Sequence, residues 1–409
     1  MGKYEYEFHL KGKELNKKRA RINEFRDCIR ENDIDYKISE EFPLSSYGKT
    51  TDLIRVEGSK VLMDRFYAIN NKKYDTKEKL KDIEIINFTD DNHLKLKILS
   101  SKNSHAGHVD FHATGIYQFT SQFFETIFKM GSFKRFCLDN KFHQEFIDSA
   151  RAIQKRLPEK EMQYRFIDVE GEWRARAITS PSYKNYDNHL AIYLTLLSLH
   201  QYAEEFSFMY KVKEAYISDS EVMIFIEQSH LSEVIGIGKI YFGLLLTNNE
   251  VKDKAFSLRF RYRIEDENGY EFAAVEPIDE AIFHVRHNTG IENVKRQLQN
   301  LRKLDDIRNR ILAHITSISQ APYLSEDHIY HIFQSIIKSK KLFGKEVKEK
   351  AKELQSNQTV SSSMGIIEAL HRISEVTKNA GLDEKTHLER IYFEALLSLK
   401  AKNSKKSSQ

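Results

Sequence analysis

Phe256-Ser-Leu-Arg-Phe-Arg-Tyr-Arg-Ile264, followed by Asn268-Gly269 and then Tyr270-Glu-Phe-Ala-Ala-Val275, is the stretch that decides the fold class. Apolar side chains fall on every second position from Phe256 to Ile264, and period two is the mark of a strand with one face turned to a core. Asn-Gly is the preferred pair for a two-residue type I′ turn, because both of its positions need φ > 0. A turn centred there sets Ala273 opposite Ile264 and Val275 opposite Tyr262. The apolar faces of the two strands then coincide, so the expectation is a hairpin over 256–275.

Working outward, strands are expected near 208–216, 221–227 and 236–247, with an apolar helix over 188–200 before them. A second hairpin over 162–179 turns at Glu170-Gly171. Residues 116–157 carry Phe119, Phe123, Phe124 and Ile127 at helical spacing, and strands are expected near 83–87 and 93–99. At the N-terminus the expected order is strand (4–10), helix (around 15–29), two strands (34–39 and 51–57) and helix (61–69). That order suggests a ferredoxin-like βαββα unit over 1–72. A polar stretch, 71–82, is read as the first boundary. After residue 291 the pattern is helical, with Leu298, Leu301, Leu304 and Ile307 on one face. The serines that close 355–363 are candidate caps for the helix after them. The expected class is α+β: the N-terminal unit, a central mainly antiparallel sheet with helices (76–290), a helical C-terminal part (291–399) and a disordered basic tail (400–409).

Composition sets the outer bounds. The 409 residues suffice for two or three domains, and five prolines leave little room for an extended linker. With 64 basic against 60 acidic residues, bulk charge gives no nucleic-acid footprint, so any basic site must come from local arrangement. Cys28 and Cys137 match no zinc or redox spacing and read as reduced thiols. The N-terminus has no apolar signal segment, and the most apolar run, Val234 to Leu246, is too short to span a bilayer. A cytoplasmic protein with no membrane partner is expected.

Three clusters invite a chemical reading. Arg259, Arg261 and Arg263 share the face of their strand opposite the apolar one. Arg174 and Arg176 share a face in the other hairpin, and Arg165 lies on the adjoining strand. Placed in one sheet, these guanidiniums could line a phosphate-binding surface, since each donates bidentate bonds and stays charged. The competing reading is an outer face whose arginines pair with cross-strand glutamates such as Glu265 and Glu271. The second cluster, His105, His108, Asp110 and His112, places imidazoles and a carboxylate within eight residues and is a candidate metal site; chance clustering in a chain with 16 histidines competes with it. The third, His284 with His287, has the wrong spacing for a helical pair of ligands. No P-loop, no nucleophile elbow and no dinucleotide fingerprint occurs. No cofactor is implied.

Several short blocks resemble the phage/plasmid-like domain-of-unknown-function family 932. They are His112-Ala-Thr-Gly115, Met130-Gly-Ser-Phe-Lys-Arg-Phe136, the Arg165 strand, and Gly171-Glu-Trp-Arg-Ala-Arg-Ala-Ile-Thr-Ser-Pro-Ser-Tyr-Lys-Asn-Tyr-Asp-Asn188, which is similar to that family's R-A-x-x-S-x-x-Y-x-x-x-D-N block. Leu246-Thr-Asn-Asn-Glu-Val251, His287-Asn-Thr-Gly290, Met364-Gly-Ile-Ile-Glu-Ala-Leu370 and Arg390-Ile-Tyr-Phe-Glu394 continue the order to about residue 395. Asn249 stands where that family usually has Ser, and Tyr270 follows the Asn-Gly. The resemblance implies a mobile-element origin in a bacterial cytoplasm and brings no catalytic residues with it.

The expectation is therefore a non-enzymatic, nucleic-acid-binding protein. It would hold single-stranded DNA, in recombination or replication, through Arg165, Arg174, Arg176, Arg259, Arg261 and Arg263. Tyr183, Lys184 and Asn188 would be secondary contacts. Two other readings stand beside it: an interaction module for a host or defence protein, and a metal-dependent enzyme using residues 105 to 112. A homo-oligomer is compatible with each.

Overall fold

The computed structural model describes residues 4–99, 110–251, 256–286, 289–319 and 323–406. β1 (Glu7–Lys11) keeps the expected alternation, with Leu10 buried between exposed neighbours. The chain then passes through 3-10 turns at Gly12–Glu14 and Ile22–Cys28, where an α-helix was expected. Ile22, Phe25 and Cys28 are buried. Their spacing of three suits the eclipsed side chains of a 3-10 helix as well as an α-helical face. α1 (Asp33–Glu41) takes the place of the strand expected over 34–39. Asn32 decides this: its Oδ1 accepts bonds from the amides of Ile34 and Asp35. Asp33 and Asp35 sit in the first turn, where the helix dipole favours acids. β2 (Val56–Glu57) and α2 (Ser59–Asn70) complete this part.

β3 (Lys73–Lys79) runs through the stretch expected to be a linker. Its sequence, Lys-Tyr-Asp-Thr-Lys-Glu-Lys, is that of an edge strand, where charges blunt further pairing. β4 (Ile83–Phe88), β5 (Leu94–Ile98) and β6 (Phe111–Gly115) follow, then the helices α3 (Phe119–Phe128), α4 (Gly131–Asp139) and α5 (His143–Gln154). β7 (Glu161–Val169) and β8 (Glu172–Thr179) form the second expected hairpin. These six strands make one sheet in the order β3-β7-β8-β6-β5-β4. Phe119, Phe123, Phe124 and Phe146 from the helices close one core over it.

α6 (Asn188–Glu205) is apolar all round, with Leu190, Leu194, Leu196, Leu197 and Leu199 fully buried. A helix without a polar stripe can only be stable inside a core, and each such leucine contributes about 1.5–3 kcal/mol on burial. α6 shares its core with a second sheet: β9 (Tyr210–Ser218), β10 (Glu221–Val234), β11 (Gly238–Asn249), β12 (Phe256–Glu265), β13 (Glu271–Val275) and β14 (Phe283–Val285). The order is β1-β9-β10-β11-β12-β13, with β14 on β12 and β2 on β9. The strands of the first 72 residues therefore do not pair with each other. β1 lies antiparallel and β2 parallel along β9, and the apolar side chains of this part belong to the same core as α6.

The hairpin at 256–275 exists, but one residue out of the expected register: Ile264 faces Phe272 and Tyr262 faces Ala274. The loop has three residues rather than two. Gly269, with φ 80°, is the residue that needs the left-handed region. Asp266 Oδ1 accepts bonds from the amides of Asn268 and Tyr270. This is the turn that ends in a left-handed glycine bulge. Its odd length pairs like with like, so both apolar faces still reach the core.

α7 (Ile291–Leu298), α8 (Leu304–Ile318), α9 (Glu326–Ile337), α10 (Lys345–Ser356), α11 (Ile366–Ser374) and α12 (Leu382–Lys406) make up the expected helical part. Gly365, not a serine, occupies the N-cap position of α11. α12 continues to Lys406, into the stretch expected to lack structure. Among the described residues no helix is long and apolar enough to cross a membrane.

Candidate functional site

The arginines of β12 point as the alternation requires, away from the core shared with α6, but the face they occupy is closed. α12 lies over it. Arg261 is 8% exposed and makes a bidentate pair with Glu389, Nε to Oε2 at 2.8 Å and Nη2 to Oε1 at 2.7 Å. Its guanidinium stacks 4.3 Å over the ring of Phe225. Arg263 contacts Glu227 at 3.2 Å, Glu265 at 3.1 Å and Glu271 at 2.7 Å, and lies 3.9 Å over the Tyr241 ring. Arg259 is also 8% exposed; its Nη1 reaches the Glu276 carbonyl at 3.5 Å and its Nε has no hydrogen-bond partner. Burial pushes its guanidinium down to about 10. The expected stripe is thus covered, with Arg261 and Arg263 neutralised by glutamates and Arg259 buried. Strand periodicity reports which way the arginines point; it carries no information about a helix more than a hundred residues later that covers them.

Arg165 and Arg176 belong to a different place, the junction between the two sheets. Both are fully buried. Arg165 Nη2 pairs with Asp187 and with Asp75, the latter at 3.0 Å, while Nη1 donates to the Glu250 carbonyl at 2.9 Å. Arg176 Nη1 donates to Glu250 Oε2 at 2.7 Å and to the Asp219 carbonyl at 3.0 Å. Lys73 Nζ lies 2.9 Å from Glu250 Oε1, which also accepts from the backbone N–H of Asn188 at 3.0 Å. Burial acts to raise Glu250, but Lys73, Arg176 and Arg165 together hold its carboxyl well below the usual carboxylate range. The Lys73 ammonium is pulled down to about 8 by burial, against the attraction of Glu250. Three cations (Lys73, Arg165, Arg176) face three carboxylates (Asp75, Asp187, Glu250). Arg30 reaches the same Asp187 at 4.0 Å. The cluster ties β3, β7 and β8 to the end of β11 and the start of α6, and its cations are spent on interior carboxylates.

The other expected contacts are placed as follows. Asn188 is buried at the start of α6, where its side-chain oxygen accepts from Asn248 at 2.9 Å. Lys184 donates to the Thr289 carbonyl at 2.9 Å, and Tyr183 is half-buried, with burial raising its phenol. Arg174 pairs with Glu172 at 2.6 Å near the surface. Several residues of the resembling blocks do meet: Arg176, Asp187, Asn188, Asn248 and Glu250 all converge on this junction. Lys73, Asp75, Asp187 and Glu250 were missing from the sequence reading. Glu250, an acid closing a long apolar strand, was the available signal; Asp75 was hidden because its strand reads as a polar linker.

Of the histidine cluster, His105 and His108 lie outside the described residues. Asp110 pairs with Lys97 at 2.9 Å, and His112 is exposed on β6. The described residues hold no group of three or more side chains placed to bind a metal.

Among the described residues, one open surface that carries exposed aromatic rings and cations is on α4 and α5. Phe133, Phe136 and Phe142 are all exposed, Phe136 to 56%. Positions 133 and 136 are one helical turn apart and share a face. The Phe136 and Phe142 rings lie 6.1 Å apart, and Phe133 is anchored against buried Phe146 at 5.6 Å. Lys129, Arg135 and Lys141, close to them in sequence, are exposed, and Arg135 and Lys141 make no ion pair with described residues. Lys134 is tied to Ser121 at 2.7 Å, with burial lowering its ammonium. Burial of Cys137 and of Phe146 fixes both helices to the smaller core, so the exposed rings stand on a firm base. Phe133-Lys-Arg-Phe136 carried this signal in the sequence.

Compared with known protein families, with curated proteins and with solved structures, the chain matches none.

Proposed function

We propose that this protein binds single-stranded nucleic acid on the α4–α5 surface, with Phe133, Phe136 and Phe142 stacking on bases and Arg135 and Lys141 meeting phosphates. The sheet arginines Arg165, Arg176, Arg259 and Arg261 take no part, since they are buried, and Arg263 is spent on Glu227, Glu265 and Glu271. The observation that carries the reading is Phe136: a ring more than half exposed, beside a second exposed ring 6.1 Å away, with exposed Arg135 and Lys141 near in sequence. Exposed large aromatics are costly to solvate, and next to cations they suit a polyanion whose bases present flat faces. The resemblance to family 932 implies a mobile-element origin, and recombination or replication is the process that such an origin would suit by analogy.

Fluorescence anisotropy of labelled single strands at low and moderate salt tests this. Binding should weaken with salt, log K falling by about 0.7 per phosphate contact for each decade. Phe136→Ala with Phe142→Ala should lose tenfold or more, since each stacked base is worth about 1–3 kcal/mol. Unchanged affinity in the double variant, or no binding by micromolar protein at low salt, would overturn the proposal.

A second reading, a protein partner, rests on the tip of the β10–β11 hairpin. Ile235 is 96% exposed there, beside a groove of about 890 Å³. If a host protein docks at this tip, Ile235→Asp should abolish its stoichiometric co-purification.

A further inference from the structure

A second open cationic surface lies far along the chain from α4, on the N-terminal segment. Lys17, Lys18, Arg19 and Arg21 line a shallow, open groove of about 500 Å³ together with Lys60 and with Leu53, the bridge partner of Arg21. The backbone that carries these cations is held firmly. The Ile54 amide donates to the Ala20 carbonyl at 3.0 Å, the Ile22 amide to the Asp52 carbonyl at 3.0 Å, and the Gly58 amide to the Lys18 carbonyl at 3.1 Å. Ala20 and Ile22 are fully buried, so the alternation turns Arg19 and Arg21 outward. The Ser59 hydroxyl accepts from the Ala20 amide at 2.8 Å and pins the middle of the segment.

The charges here are open, unlike those of β12. Lys17, Lys18, Arg19 and Arg21 make no ion pair with described residues; Arg21 only donates to the Thr51 carbonyl at 3.1 Å and Arg19 to Met209 Sδ at 4.0 Å. The acid on the wall, Glu24, is already committed. It pairs with Lys60 at 2.6 Å and accepts from the Arg21 amide at 2.7 Å. No aromatic side chain lines the groove, so bases gain nothing by entering it. One exposed leucine is too little apolar surface to enter a bilayer.

We propose that this groove is a base-independent phosphate-backbone site that takes double-stranded nucleic acid. The stacking surface on α4–α5 and this groove make separate demands, so either can fail alone. A duplex offers one charge per about 1.7 Å of axis, which is a denser array of phosphates than a groove without stacking groups could gain from a single strand.

The test uses the full chain and a short blunt duplex of mixed sequence, titrated by anisotropy over a salt series. Four phosphate contacts predict a log–log salt slope of about −3.6. Lys18→Glu with Arg21→Glu should lower duplex affinity tenfold or more and reduce the slope by about 2, while Phe136→Ala leaves duplex binding unchanged. The neutral pair Lys18→Gln with Arg21→Gln, checked by thermal unfolding, should give the same reduction in slope without like-charge repulsion. The proposal is overturned if the neutral pair keeps both affinity and slope, or if duplex is not bound at low salt. It is likewise overturned if vesicles of phosphatidylserine, rather than duplex, depend on Lys18 and Arg21.

Discussion

Glu276 follows β13 and is fully buried beneath the arginine-bearing face. Among the described residues its carboxylate makes one ion pair, with Arg310 at 3.4 Å, itself largely exposed, and its Oε2 has no hydrogen-bond partner. Burial pushes the carboxyl from 4.5 up to about 7, further than Arg310 pulls it back. The folded protein therefore holds a proton on Glu276 between about pH 4.5 and 7, where the unfolded chain has released it. Stability from this group is fully present below 4.5 and is lost as pH rises through 7. At about 1.36 kcal/mol for each pH unit, the gap amounts to about 3 kcal/mol at most. Glu276→Gln keeps the shape and stays neutral, so it should be more stable than the parent by up to that amount at about pH 8. The two proteins should converge near pH 4.5. Urea unfolding of the full chain at several pH values measures this. A variant no more stable at pH 8, or an advantage that persists at low pH, would refute the reasoning.

Glu250→Gln removes the carboxylate that Lys73, Arg165 and Arg176 surround, and leaves buried cations uncompensated. The expected loss is about 3–5 kcal/mol, read as a large fall in the thermal midpoint. Arg261→Met breaks the bidentate pair with Glu389 and should lower stability in the same assay by about 3 kcal/mol, leaving single-strand affinity within twofold; a selective loss of DNA binding would restore the open-arginine reading. Gly243 lies where an added Cβ would come 2.2 Å from the Ile226 carbonyl oxygen. Gly243→Ala should therefore destabilise the β10–β11 pair by about 1–3 kcal/mol through overpacking; unchanged thermal unfolding would contradict the close approach.

The sequence by itself determined what depends on neighbours within a turn or a strand. Strand-like runs located β7 to β13, the apolar run over 188–200 located α6 as a helix, and the alternation of Phe256 to Ile264 gave the direction of every arginine on β12. Where two local patterns competed, the wrong one was read. Ile34 to Ser39 alternates like a strand, yet the Asn32 cap and the two first-turn aspartates settle it as α1. The register at Asn268-Gly269 missed by one because Asp266 accepts two loop amides and closes a longer turn.

Tertiary structure alone decided what covers each face. Arg261 and Glu389 are 128 positions apart, and Arg165 meets Asp75 across 90. Whether a guanidinium is a free phosphate contact or a neutralised interior group depends on such partners. Periodicity records only a side chain's direction relative to its own backbone. The same physics left open the two surfaces that now carry the functional proposals: Phe136 and Arg21 stay exposed because no later element of the described chain folds over them.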